Sequence, residues 1–209
     1  MLGKFISVEG IEGAGKSTAM KFIKEYLVQK KIDTISTREP GGTTIAEAIR
    51  QILLTKHMEP MTSNTELLLM FASRAQHLQN YILPSLQSGR WVVSDRFIDA
   101  SYAYQHGGRG IDLQEVKDLD KWIVGNDYPD LTLLLDISPE IGLERAHKRG
   151  SIKDRIEEEQ VDFFSRVRKV YLERAVQDPK RIKIIDASKN LTEVQAQIRT
   201  ALNEFIVRH

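Results

Sequence analysis

Gly10-Ile11-Glu12-Gly13-Ala14-Gly15-Lys16-Ser17 is the stretch that decides the fold. It reads G-x-x-x-x-G-K-S, and each fixed position has a physical task. Gly10 and Gly15 permit backbone turns that a Cβ forbids. The loop so formed aims successive N–H groups at phosphate oxygens. Lys16 brings a point charge to the β- and γ-phosphates, and Ser17 offers a hydroxyl to Mg²⁺. The helix that follows adds its positive N-terminal end. With glycine at about 7% of residues, chance yields this pattern in roughly one in a hundred chains of this length. The flanks agree with the motif. Lys4-Phe5-Ile6-Ser7-Val8 reads as a strand before the loop. Phe22, Ile23, Tyr26 and Leu27 put an apolar stripe on a helix after it. A glycine-rich turn without a ligand is the poorer reading.

Outward from this loop, strand and helix patterns alternate, which argues an α/β fold with a parallel sheet. Further strands are expected at Asp33–Thr37, Trp91–Asp95, Leu131–Asp136 and Arg181–Asp186. Leu131–Asp136 is nearly continuous apolar sequence, as a buried parallel strand requires. Arg38-Glu39-Pro40-Gly41-Gly42-Thr43 is a breaker cluster, hence a loop. The spacing predicts one long helix from Asn64 to Gln87, kinked or ended by Pro84. It predicts another over Ile98–Gln105, broken by Gly107-Gly108-Arg109-Gly110. Amphipathic helices follow at Leu113–Val124, Pro139–Lys148 and Gln160–Val176, and a closing one carries Ile198, Leu202 and Phe205. The 209 residues suit one domain, with no repeat and no linker to split it.

Hydrophobic residues make up 41% and charged residues 28%, enough for both a core and a polar surface. A net charge of +1 provides no broad basic field, so nucleic acid is not an expected partner. No apolar run is long enough for a bilayer, so neither is a membrane. There is no cysteine, which removes disulfides and Cys-zinc sites. The chain enters a strand without the pattern of a signal peptide. The expected compartment is the cytoplasm.

Ligands of open α/β sheets bind beyond the carboxyl ends of the strands. That gathers Gly10 to Ser17, Arg38, Asp95, Arg96 and Asp136 around one crevice. Asp95 and Asp136 compete for the Mg²⁺-directed carboxylate, and either has the alternative of capping the next helix. Arg38, Arg74 and Arg96 suit an anionic acceptor, because guanidinium matches phosphate by a planar fork. For Arg74 the alternative is a surface salt bridge, although its neighbours Phe71 and Leu78 are apolar. The run Arg145 to Arg155 holds five Lys or Arg and one acid. It reads either as a solvated helix end or as cations that arrive over a transferring phosphoryl group.

The chain resembles the thymidylate kinases, a P-loop family of nucleoside monophosphate kinases. The resemblance runs from residue 4 to about 159, with a similar closing strand and helix. It rests on the P-loop and Thr37-Arg38-Glu39-Pro40-Gly41-Gly42-Thr43. It rests also on the helix around Arg74, on Asp95-Arg96-Phe97, and on Ser101 to Gln105 with Gly107 to Gly110. Asp154-Arg155-Ile156-Glu157 completes it. The resemblance implies a P-loop NTPase fold of three layers with a five-stranded parallel sheet flanked by helices. It implies one domain over 1–209 with a lid at about 145–159, a homodimer packed through long helices, and ATP with Mg²⁺ as donor to dTMP. ATP would meet Gly10, Ile11, Glu12, Gly13, Ala14, Gly15, Lys16, Ser17 and Thr18, with Arg145 and Arg149 from the lid. Arg149 would lie against adenine. Arg38 and Arg96 would hold the dTMP phosphate, beside Pro40. Arg74 would bond thymine O4, with Ser101 and Gln105 at the base edge. Met70 or Phe71 would cover the base face. Tyr104 would crowd the ribose 2′ position, and Glu12 would reach the 3′-hydroxyl. Lys16, Asp95, Arg96 and Arg155 would act in catalysis, with Ser17 and Asp95 at the metal.

One departure shapes the expectations. Some family members carry an arginine inside the P-loop where this chain has Gly13, and the basic run at 145–155 would supply that charge instead. Two other readings stay open on sequence alone. A deoxynucleoside kinase would need a base for a neutral hydroxyl acceptor. A nucleotide-dependent switch is the other, although the guanine-reading N-K-x-D pattern is missing.

Overall fold

The computed structural model describes residues 2–148, 155, 156 and 158–208. Its centre is a sheet of five parallel strands in the order β2-β3-β1-β4-β5. They are β1 (Phe5–Glu9), β2 (Thr34–Arg38), β3 (Trp91–Asp95), β4 (Leu131–Asp136) and β5 (Ile182–Asp186). All of β1 is buried, as is β4 up to its terminal aspartate. Helices cover both faces of such strands, which is why their apolar sequence is almost unbroken. Successive β1 side chains serve opposite layers. Ile6 and Val8 join one apolar cluster with Ile23, Leu27, Phe164 and Leu202, and Phe5 joins another with Phe71, Leu78 and Val116.

The helices are α1 (Lys16–Gln29), α2 (Thr44–Leu54), α3 (Ser63–His77), α4 (Leu83–Gln87) and α5 (Ile98–Ser101). After these come α6 (Leu113–Ile123), α7 (Pro139–Lys148), α8 (Val161–Gln177) and α9 (Leu191–Val207). From β1 the chain crosses to β2 on one side, and from β3 it crosses to β4 on the other. The direction of winding therefore switches between β1 and β3. Their carboxyl ends, Glu9 and Asp95, open into the crevice that such a switch creates.

Two helical stretches differ from the sequence expectation. The span expected as one helix from Asn64 to Gln87 is α3, a π-helical turn over Leu78–Ile82, and α4. Pro84 neither ends nor isolates it. It sits in the first turn of α4, where a missing N–H is tolerated, and the wider turn before it absorbs the mismatch. Similarly, Gly107 and Gly108 do not break the helix after Ile98. A π-helical stretch runs on from α5 over Tyr102–Gly108. A Cβ on Gly107 would meet Val170 at 2.7 Å, and one on Gly108 would meet Phe163 at 2.5 Å. These glycines permit close packing against α8. The turn that follows needs Gly110, at φ 75°.

Candidate active site

The loop after β1 is shaped by its backbone. Gly15 precedes α1 with φ 91°, and Gly13 has φ 74°. A Cβ on Gly13 would lie 1.8 Å from the carbonyl oxygen of Gly142 in α7. This backbone therefore has no room for the arginine that some P-loops carry there. Lys16 is buried, and its Nζ donates to the carbonyls of Gly10 at 3.2 Å and Ile11 at 3.1 Å. Burial and the nearby Arg96 lower its pKa. Ser17 and Thr18 face a crevice of about 550 Å³ at the start of α1, together with Glu12, Gly13, Gly15 and Lys16. Ile11 and Ala14 turn into the core instead. Gly10 contributes its carbonyl to the loop's internal bonds and does not line the crevice.

The end of β3 supplies the next groups. Arg96 has φ 70°, a left-handed backbone that costs a side-chain-bearing residue about 1 kcal/mol or more. Its surroundings hold it there. Its N–H bonds to the Val8 carbonyl at 3.0 Å, and the next N–H, of Phe97, donates to Glu9 Oε1 at 2.7 Å. Its guanidinium donates from Nη1 to the Gly10 carbonyl at 3.0 Å and from Nη2 to the Tyr104 hydroxyl at 3.0 Å. Glu12 lies 3.6 Å away. Tyr171, from α8, donates its hydroxyl to Glu9 Oε2 at 2.7 Å. Burial raises Glu9 to about 8, with Asp99 adding to the rise and Arg96 opposing it.

Asp95 and Asp136 now separate. Both Asp136 oxygens accept from Arg168, at 2.7 and 2.9 Å, and the residue does not line the crevice. Asp95 does line it, and its buried Oδ1 has no hydrogen-bond partner among the described residues. Neither side chain accepts a hydrogen bond from a helix backbone N–H among the described residues.

The opposite wall comes from the β2–α2 loop, α3 and the stretch after α5. Arg38 lines the crevice and pairs with Glu47 at 2.9 Å. Pro40 and Met70 also face it, whereas Phe71 is buried in the core and does not. The reason is position on the helix: Phe71 points under the Arg74 guanidinium, 5.0 Å from its ring centre. Arg74 is only 2% exposed, so it forms no surface salt bridge. Its Nε donates to Glu39 at 2.8 Å, Nη1 to Ser101 Oγ at 2.8 Å and Nη2 to the Phe97 carbonyl at 3.0 Å. Ser101, Tyr104 and Gln105 line the same wall. Burial raises the Tyr104 hydroxyl to about 12, partly opposed by Arg96.

The basic run divides. Arg145 lines the crevice and donates to the Ala187 carbonyl at 2.8 Å. Arg155 does not line it. Its Nη2 donates to Glu66 at 2.5 Å and its Nε to the Leu53 carbonyl at 3.0 Å. Arg149, Asp154 and Glu157 lie outside the described residues.

Glu39, Arg50, Leu54 and Ile156 also line the crevice, although none of them had a site role in the sequence; Glu39 and Ile156 stood only within motifs. Glu39 is a buried carboxylate between Arg74 and His77. Its place beside Arg38 and Pro40 was the available signal. Arg50, whose Nη1 donates to the Pro40 carbonyl at 2.8 Å, had none beyond its charge on α2.

With this geometry in place, similarity to known proteins is specific. The family model described as Thymidylate kinase matches residues 8–198. A thymidylate kinase of Ruthia magnifica subsp. Calyptogena magnifica is 54% identical over 200 residues, 96% of this chain and 97% of that one. One from Teredinibacter turnerae is 49% identical over 206 residues, 99% of this chain and all of that one. The crystal structure of a thymidylate kinase from Ehrlichia chaffeensis superposes with a TM-score of 0.77 at 31% identity, covering 97% of this chain and 99% of that one.

Proposed function

The chain belongs to the thymidylate kinase family, and from that premise we propose how its crevice works. Its reaction is ATP-dependent phosphorylation of dTMP, which gives dTDP and ADP. One observation carries the assignment of roles. Arg96, the strand-end cation suited to an acceptor phosphate, is built onto the P-loop through the Gly10 carbonyl. Donor and acceptor phosphates thus meet in one cavity.

The acceptor is a phosphate monoester whose second pKa is about 6, so its oxygen is already a nucleophile at neutral pH. No strong base is required, and alignment with charge neutralisation carries the rate. In this proposal Arg38 and Arg96 hold and orient the dTMP phosphate. Arg74 and Gln105 read the base, Met70 covers its face, and Tyr104 closes the 2′ side of the sugar. The P-loop amides and Lys16 hold the ATP phosphates, while Arg145, Arg149 and Arg155 supply the lid charge that Gly13 cannot. The residues fit Mg²⁺ in their donor set, which is a hydroxyl and a carboxylate beside expected phosphate oxygens. The Oδ1 of Asp95, buried and without a hydrogen-bond partner among the described residues, is the observation that favours it. Ser17 and Asp95 would hold the ion, which when bound neutralises charge on the β- and γ-phosphates.

We also propose a homodimer. Leu68 of α3 and Trp122 of α6 are exposed, at 58% and 79%, on helices that pack together. Among the described residues no helix is long and apolar enough to cross a membrane. A cytoplasmic site of action is our reading from its substrates. The test of function is ADP release with ATP and either dTMP or thymidine, using Lys16→Ala as the inactive control. Turnover that needs dTMP supports the reading. Equal turnover with thymidine, or none with dTMP, overturns it.

A further inference from the structure

Gln105 is only 1% exposed, yet its side chain lines the base wall of the crevice. An amide there has two orientations. One offers its oxygen to a ligand and the other its NH₂, and these read opposite base edges. The structure holds one of them. Gln105 Nε2 donates to Glu66 Oε1 at 3.0 Å, while Oε1 of Gln105 makes no hydrogen bond among the described residues.

Glu66 can impose this choice because of its own shell. It lies on α3, 1% exposed, between three elements. Arg109 donates from Nε to both of its oxygens, at 3.1 and 3.2 Å, and Arg155 donates to Oε2 at 2.5 Å. Burial alone would raise the pKa of Glu66. Arg109, Gln105 and Arg155 together outweigh that and hold it below the ordinary carboxylate value. An ionised carboxylate only accepts hydrogen bonds. Turning Gln105 over would set its oxygen against this carboxylate, two buried acceptors facing each other with no proton between them, although Arg109 and Arg155 would still donate to Glu66.

We infer that Glu66 is a positioning residue for base specificity: it fixes the Gln105 amide so that an acceptor oxygen faces the ligand and selects a pyrimidine with an N–H at ring position 3. The inference rests on the reading that dTMP fills the crevice with Gln105 at its base edge. Thymine carries a donor at N3, and cytosine an acceptor. Arg74 reads the exocyclic group at position 4 and Glu66, through Gln105, reads the ring nitrogen. Two neighbouring positions are then checked by groups of opposite sense.

The probe must alter N3 while leaving position 4 alone. 5-Methyl-2′-deoxyisocytidine monophosphate keeps the 4-carbonyl and the 5-methyl but has an acceptor at N3. Glu66→Gln supplies both a donor and an acceptor, so it lets Gln105 turn. We expect wild-type enzyme to prefer dTMP over the probe by about 10²-fold or more in kcat/KM. Glu66→Gln should narrow that ratio about tenfold, whatever happens to absolute rates. A role in folding alone would lower both substrates together and leave the ratio unchanged, which would overturn the inference. If Glu66→Gln does not fold, a crystal structure of the wild-type enzyme with dTMP decides. The Gln105 amide must stay on Glu66 with its oxygen within hydrogen-bond distance of N3, and a Gln105 that leaves Glu66 contradicts the inference. Absence of any dTMP turnover by wild-type enzyme would instead count against the function itself.

Discussion

Tyr104 shows how much one side chain is asked to do. Its ring stands edge-on to Phe163 and Tyr171, and its hydroxyl accepts from Arg96. These two duties separate by substitution. Tyr104→Phe keeps the ring, so the preference for deoxy over ribo acceptor should survive while KM for dTMP rises several-fold. Tyr104→Ala should lose part of that preference as well. Steady-state kinetics with dTMP and ribothymidine monophosphate would show both effects, and an unchanged ratio in the alanine variant would remove Tyr104 from the sugar site. Residue identity was legible here because motif positions carry chemistry in their side chains. Burial was not. Arg74 reads from sequence as a helix-face cation, yet it lies inside the protein against Glu39. Its removal leaves that carboxylate buried and without its guanidinium partner, a loss of about 3–5 kcal/mol. Arg74→Ala therefore mixes stability with binding, and for the same reason sequence left open whether Met70 or Phe71 faces the crevice.

At the scale of elements, the contact of the Tyr102–Gly108 stretch with α8 matters most, because Tyr104 and Gln105 ride on it. Gly108→Ala places a methyl 2.5 Å from the Phe163 ring. Overpacking of this kind costs roughly 1–3 kcal/mol. Thermal denaturation should register that loss, and KM for dTMP should rise more than KM for ATP. A variant as stable as wild type would mean that α8 yields freely. The basic run makes a second prediction. Arg155 is placed on Glu66, so its proposed action on the phosphoryl group requires it to leave that carboxylate. If it does, Arg155→Ala should lower kcat and kcat/KM together, by about 10³-fold, as for other arginines of phosphoryl transfer. A near-normal kcat would make Arg155 an anchor for Glu66, and Arg145 and Arg149 would remain as candidates. The alternation of strands and helices was legible in apolar periodicity. The π-helical turns were not, because glycine and proline mark a break and a tight packing contact with the same letters.

For the whole molecule, the sheet order β2-β3-β1-β4-β5 sets the end of β1 beside that of β3 and so brings Glu9 beneath the active site. Glu9 has its pKa raised to about 8, mainly by burial. The folded protein thus holds a proton that the unfolded chain releases near pH 4.5. This contribution to stability is complete below that pH and is lost as pH rises towards 8. Melting temperature should fall over this window in wild type, and Glu9→Gln should flatten the slope. Parallel slopes would show that Glu9 is ionised in the folded state. Glu9 carries no signal in the sequence, because its proton depends on burial within the fold and on Asp99, against which the hydrogen bonds from Tyr171 and Phe97 work.

The most direct measurement follows the phosphoryl group itself. ATP labelled at the γ-phosphate is incubated with the enzyme, Mg²⁺ and dTMP, and the labelled products are separated. The account predicts label in the β-phosphate of dTDP, with little inorganic phosphate and no transfer to thymidine. Label released mainly as inorganic phosphate, at a rate indifferent to dTMP, would contradict it.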